Sequence, residues 1–292
     1  MEAAFAEMPL ALFSTLAPMG AGAFVILAAA FLTAKLDAEA LGRIDRLTAI
    51  PVAFVIVGFI AAFFHLASPA NAFGVFAGLG SSPLSNEIAA GVVFCVVMVV
   101  YWAWALTGKM PEGVRKGLAV VLAVLALVFA LFTGMAYMID TIASWNTLAG
   151  PVQILGYALV GGAALGVLVL ALAGCADELK AGSLKTAVLA VLVVGLVCGI
   201  GGLAAQAMAA NGLENALYSG ADMVSSALMV IVAGVVCLVA SGVCDVFAVR
   251  GGGASAVVGM GVGAAVLAVA GILLMRLAFY AMQVSVGLSM LL

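Results

Sequence analysis

Long apolar runs alternate with short polar breaks along the whole chain. About 20 mostly apolar residues in a helix cross the roughly 30 Å of a bilayer's hydrocarbon layer. Eight runs meet that measure, at approximately 10–34, 48–66, 87–108, 117–139, 151–174, 186–208, 223–247 and 255–281. Unpaired backbone polar groups are too costly in lipid, so each run is expected to be a helix. The breaks are too short to hold an extramembrane domain. The pattern therefore predicts an all-α fold, a polytopic integral membrane bundle of eight transmembrane helices forming a single domain over 1–292.

Composition sharpens this. The chain is 67% hydrophobic and only 8% charged, with mean hydropathy +1.37, whereas a soluble domain carries roughly 25% charged residues. No soluble surface can be built from it, and membrane lipid is its expected surrounding. The formal charge of −3 comes with no basic run, which excludes nucleic-acid binding. The opening MEAAFAEMPLALF holds Glu2 and Glu7 but no Lys or Arg. A cleaved secretory signal needs a positive start, so the first run reads as a retained span.

The basic residues orient the bundle. Lys35, Arg43 and Arg46 fall in the first break; Lys109, Arg115 and Lys116 in the third; Lys180 and Lys185 in the fifth; and Arg250 in the seventh. These are nine of the ten Lys and Arg residues, all on one side. Basic loops stay cytoplasmic, so both termini are expected to be extracytoplasmic in a cell (inner) membrane protein. The exception is Arg276, inside the last span.

Metal chemistry finds no ligands. Cys95, Cys175, Cys198, Cys237 and Cys244 include no Cys-x-x-Cys pair, and four lie in apolar runs where cysteine behaves as a small buried hydrophobe. With a single histidine and no ligand cluster, no metal site, haem or iron–sulfur cluster is expected in this chain. The pairs Gly162 and Gly166, Gly195 and Gly199, and Gly259 and Gly263 have the four-residue spacing that lets helices approach closely. Packing within one bundle is the simpler use of them. Pro51 and Pro151 stand near span starts, where proline is tolerated.

Ionisable groups in spans are functional candidates by default, and here they gather at one end. His65 closes the second span, Glu87 opens the third, Asp140 closes the fourth, and Arg276 lies near the outer end of the eighth. Arg276, Tyr280 and Gln283 share a helix face by their spacing, as do Thr133, Tyr137 and Asp140. Two polar stripes then run into the outer leaflet, as an outward-open pocket would require. Plainer explanations stand beside this one. His65 and Asp140 could cap their helices, Glu87 could favour a helix N-terminus, Arg276 could snorkel, and Trp145 could be an interfacial anchor. A lipid-soluble quinol suits such a pocket. A histidine can take a hydroxyl proton and a carboxylate can carry it toward water, while the electrons must leave to a centre in another protein. A small-solute transporter is the alternative; it would show paired broken spans with polar residues at mid-membrane.

The stretch His65-Leu66-Ala67-Ser68-Pro69-Ala70-Asn71-Ala72-Phe73, followed by Leu84-Ser85-Asn86-Glu87-Ile88, resembles the membrane anchor subunit of the dimethyl sulfoxide reductase family. Gly58-Phe59-Ile60 through Glu87-Ile88 keeps its order and spacing. Arg276 through Phe279-Tyr280 to Val286-Gly287 resembles the family's end, and Asp140-Thr141 with Trp145 and Pro151 fits the loop after the fourth span. The resemblance implies a three-subunit complex for anaerobic respiration. Its anchor oxidises menaquinol and feeds electrons to a four-cluster ferredoxin-like iron–sulfur subunit beside an extracytoplasmic molybdopterin catalytic subunit, where terminal reduction occurs. It implies that His65 binds the quinol and accepts a proton, with Glu87 near that site as the relay outward and Arg276 as the terminal-helix arginine. Ser68 and Tyr280 join the quinol-binding set, with Tyr137, Asp140, Trp145 and Gln283 as pocket lining. The sequence departs from the family's pattern at Ala67 (commonly glycine), Asn71 (a basic residue) and Gln283 (a histidine). The polysulfide-reductase-like quinol anchors are a neighbouring group.

Overall fold

A computed structural model describes residues 2–65, 69–215 and 218–286. Among them eight helices are long and apolar enough to cross a membrane, matching the expected count. In chain order they are α2 (Met8–Thr33), α4 (Ala49–Phe63) continuing from α3 (Ala38–Leu47), α5 (Pro83–Leu106), α6 (Glu112–Met135), α7 (Ala149–Leu172), α9 (Gly182–Asn211), α10 (Gly220–Arg250) and α11 (Ala254–Ala281). The short helices α1 (Glu2–Ala6) and α8 (Ala176–Leu179) and a 3₁₀ segment at Pro69–Gly78 complete the set. No strand occurs among the described residues.

The helices sort into two environments. α7 is enclosed almost entirely and α2 largely so, while the other spans turn much of their surface outward. Those outward faces are rows of valine: Val92, Val93, Val96 and Val100 on α5, Val193, Val194 and Val197 on α9, and Val232, Val236 and Val243 on α10 are exposed. Such belts are untenable in water and natural against acyl chains.

Glycine lets the two central helices meet. A Cβ on Gly162 would lie 2.3 Å from the Gly22 backbone carbon, so α2 and α7 touch backbone to backbone. Gly166, Gly195 and Gly199 also face neighbouring helices closely. The third expected pair departs from this: Gly259 faces open space and Gly263 makes only an ordinary contact, because that side of α11 looks outward. Gly162→Ala is expected to force α2 and α7 apart at about 1–3 kcal/mol, read as a lower melting temperature of the detergent-purified protein. Gly259→Ala should leave that temperature unchanged.

The first break is not a plain loop. Asp37 caps α3, its side chain accepting from the Ala40 N–H at 2.7 Å. Asp45 on the buried side of α3 forms a two-pronged ion pair with Arg115 of α6, one arm at 2.9 Å to Arg115 Nη2. Trp102 of α5 donates to the Asp45 carbonyl at 3.0 Å, and the Arg115 guanidinium lies 5.6 Å from the Phe31 ring centre on α2. One charge pair therefore clamps four helices on the basic face. Arg43 donates to the Ala173 carbonyl at 2.6 Å and Lys180 to the Gly252 carbonyl at 2.7 Å, tying the basic breaks together there. The cysteines are free, but only Cys175 is buried; the other four are half-buried because their helix faces meet the outer surface. Burial pushes the Cys175 thiol up to about 11, which leaves it unreactive near neutral pH.

Candidate functional site

The opposite face holds the polar residues. Arg276 is fully buried near the C-terminal end of α11 and uses all three guanidinium nitrogens. Nε donates to Ser14 Oγ of α2 at 2.7 Å, Nη1 to Gln153 Oε1 of α7 at 3.3 Å, and Nη2 to Tyr280 Oη at 3.1 Å. The Gln153 amide donates on to Gln206 Oε1 of α9 at 3.2 Å, and Gln206 donates to the Phe279 carbonyl at 3.4 Å. The guanidinium carbon also lies 4.1 Å from the Phe279 ring centre, 4.7 Å from Tyr137 and 4.9 Å from Tyr280. Three rings and three oxygens replace the water this charge lost. Arg276 does not snorkel; it is the hub of the bundle end opposite the basic breaks.

Around it the aromatic residues interlock. Tyr137 and Tyr280 hydroxyls are 2.6 Å apart. Trp145 stacks on Phe279 at 5.1 Å and donates weakly to its carbonyl, so Trp145 is a buried member of this cluster rather than an interfacial anchor. The loop carrying Trp145 is stitched over the end of α11, since Val284 N–H donates to Ser144 Oγ at 2.8 Å and Val286 N–H to the Thr141 carbonyl at 3.0 Å.

Neither polar stripe survives whole, because both helices stop early. α6 ends at Met135, which puts Tyr137 and Asp140 in the following turns. Asp140 is exposed and accepts from the Asn146 amide at 2.8 Å, away from the buried cluster. α11 ends at Ala281, which leaves half-buried Gln283 beyond the helix while the Arg276–Tyr280 pair persists.

Glu87 opens the second turn of α5, whose Ser82 cap accepts from the Ser85 N–H. Its carboxyl is buried, with Oε1 lacking any hydrogen-bond partner. The Thr133 hydroxyl of α6 lies beside it, and the charge of Arg276 acts on it from within the bundle. One turn below, Gly91 backs onto Phe59 and Phe129. Phe13, Phe59 and Phe129 form an aromatic floor, with Phe59 stacked on Phe129 at 5.6 Å and Phe13 edge-on to Phe59 at 5.3 Å. An unmet buried acceptor above an aromatic floor suits a ring that carries a hydroxyl.

His65 follows the end of α4 and is exposed. Its Nε2 lies 3.7 Å from Oε2 of Glu7, at the junction of α1 and α2. Among the described residues no hydrogen bond or ion pair joins His65 to Glu87. Ser68 lies outside the described residues. Reading the sequence missed Glu7, Ser14, Gln153 and Gln206. The two glutamines were detectable in principle, as lone amides in apolar runs. No group of three or more His, Cys, Asp or Glu residues able to hold a metal occurs among the described residues.

Eight apolar helices enclosing the Arg276-centred polar cluster define a polytopic membrane protein with a candidate site at one end of its bundle. Residues 1–282 match the family described as the DMSO reductase anchor subunit, and the protein belongs to that family. It is 35% identical over 175 residues to the C subunit of the anaerobic dimethyl sulfoxide reductase of Escherichia coli K12, covering 60% of this protein and 61% of that one. Against the C subunit of the Haemophilus influenzae enzyme it is 33% identical over 146 residues, covering 50% of this protein and 52% of the other. Against YnfH, a further anaerobic dimethyl sulfoxide reductase subunit of E. coli K12, it is 36% identical over 140 residues, covering 48% and 49%. The matches thus span about half to three-fifths of the length of these curated relatives.

Proposed function

We propose that this protein is the quinol-oxidising membrane anchor of a molybdopterin reductase complex of the dimethyl sulfoxide reductase type. The observation that carries the reading is the outer-end constellation: a buried, partnerless Glu87 oxygen beside the Arg276 cluster, over the Phe13–Phe59–Phe129 floor. The Lys and Arg bias supports an extracytoplasmic position for this end, in the outer leaflet of the inner membrane. Menaquinol enters between the outer ends of α4 and α5. One hydroxyl donates to Glu87, and the imidazole of His65 takes the proton of the other. Arg276 fixes the positive field that holds the ring oxygen and the carboxyl in register. Oxidation releases two protons and two electrons. The electrons pass to the nearest cluster of a four-cluster ferredoxin-like subunit and on to the molybdopterin subunit, which reduces the terminal acceptor. The names of the relatives, all subunits of anaerobic dimethyl sulfoxide reductases, support that assembly.

The transporter alternative fits less well. Seven of the eight spans are single unbroken helices, and the other is interrupted at Thr48, between α3 and α4 toward the basic face. The match over 1–282 favours the dimethyl sulfoxide reductase type of anchor over the polysulfide-reductase-like group.

The test is His65→Ala in membranes holding the assembled complex. General acid–base groups are worth about 10²–10⁴-fold, so quinol-dependent reduction should fall about 100-fold or more. Reduction driven by a soluble dye that feeds the catalytic subunit directly should be unchanged. An undiminished quinol-dependent rate would remove His65 from the chemistry and overturn the assignment.

A further inference from the structure

We infer that Glu7 is the positioning and proton-exit partner of His65, an inference that rests on the quinol reading above. The geometry separates two carboxylates. Glu87 is buried, with its side-chain surface closed off from water and no bond to His65. Glu7 has 29% of its side chain exposed, beside an imidazole that is itself 42% exposed. Only Glu7 touches both the histidine and the solvent. It is also the one ionisable side chain within ion-pair distance of the imidazole among the described residues.

The placement follows from the backbone. Helix α1 stops and α2 begins at Glu7, whose carbonyl accepts the Ala11 N–H at 2.9 Å. The junction anchors the side chain at the rim instead of along a lipid-facing helix. Ser14, seven residues on, lies on the same helix face and takes the Arg276 Nε hydrogen bond at 2.7 Å. The outer end of α2 therefore links both halves of the site: Glu7 reaches the exposed histidine, and Ser14 reaches the buried arginine.

Of the two protons released, the one taken by His65 leaves without Glu87 as its carrier; the other, on the hydroxyl that donates to Glu87, passes to that carboxylate and leaves it when the quinone departs and water reaches the site. As the quinol O–H bond breaks, an N–H bond forms at His65 Nδ1, and the electrons leave to the iron–sulfur partner. The proton on Nε2 crosses the 3.7 Å gap to Glu7 Oε2 as the pair draws together, and passes from there to water. The half-exposed ring regains its starting tautomer by exchange with solvent. Glu7 meanwhile offsets the transient imidazolium charge and fixes which nitrogen faces the quinol.

The assay compares Glu7→Gln, Glu7→Asp and the exposed control Glu39→Gln in the membrane-bound complex, with a soluble menaquinol analogue as donor. Glu7→Gln should lower kcat about 10- to 100-fold with KM for the analogue within about twofold, the pattern of a group that acts on the chemical step. Glu7→Asp should recover most of the rate, and Glu39→Gln should match the parent. Dye-driven reduction should be the same in all. A normal kcat in Glu7→Gln overturns the inference. So does loss of the dye-driven and quinol-driven rates together, which would give Glu7 a role in assembly. His65→Ala distinguishes the two levels: if it is inactive while Glu7→Gln is normal, the quinol reading stands and only this inference falls. If His65→Ala is itself normal, both fall.

Discussion

Arg276→Lys is expected to reduce quinol-dependent turnover by about 100-fold, the scale of removing one preorganised electrostatic donor from a reaction centre. The substitution keeps the charge and loses the geometry. Arginine here donates in three directions, to Ser14, Gln153 and Tyr280, while its plane lies among three aromatic rings. An ammonium is compact and strongly hydrated, and cannot reproduce a planar fork among rings. It would leave at least one of the three buried acceptors unmet, at about 1–3 kcal/mol each. Gln153 would then lose the bond that orients it toward Gln206, and the charge would shift relative to Glu87. The check is quinol-dependent against dye-driven reduction in the same membranes, with the melting temperature of the purified complex alongside. Arg276→Met should lose the quinol-dependent rate and stability together. A lysine variant with parental turnover would show that only the charge matters.

The second large effect is on stability, at the other face. Asp45→Ala leaves Arg115 charged and enclosed without its partner. Breaking a buried pair from one side costs about 3–5 kcal/mol. Four helices meet at this clamp through Trp102, Phe31 and the pair itself, so the loss should spread across the bundle. The melting temperature in detergent should drop sharply for Asp45→Ala and for Arg115→Ala. The double variant Asp45→Leu with Arg115→Met, which removes both charges and keeps volume, should recover much of the loss. Quinol-dependent turnover per assembled complex should stay near parental in that double variant, because the clamp is at the far end from Arg276.

The two faces were not equally legible in the sequence. The eight spans were, because a run of 20 apolar residues has one stable solution in lipid. α3 was not. Arg43, Asp45 and Arg46 made 38–47 look like a polar break, although the helix hides Asp45 on its inner side. The gathering of Arg276, Tyr280, Tyr137 and Trp145 was foreseeable from their shared end of the bundle. What surrounded them was not, because an apolar span carries little mark of which face turns inward. Gln153 and Gln206 became meaningful only once α7 and α9 were packed. The stripes were drawn one turn too long, since no Gly or Pro follows Met135 or Ala281 directly to mark the helix ends there. Glu7 was the least legible: its partner lies 58 positions away, and nothing local announces a pairing that depends on how α2 stands against α4.

The enclosure of Arg276 also bears on how the protein enters its membrane. α11 follows the other seven spans, and it carries an arginine; insertion of such a residue in an isolated span is penalised by up to about 2.5–3.5 kcal/mol at the centre and by less toward the end, where Arg276 lies. Ser14 of α2 and Gln153 of α7 lie upstream, so they are already in the bilayer when α11 leaves the ribosome. The final span thus has its receptors waiting. α2 and α7, which carry those receptors, meet at the Gly22–Gly162 contact, so the integration of α11 is expected to depend on their docking. A lesion at that early contact would surface late in biogenesis, as failure of the eighth helix to stay in the bilayer.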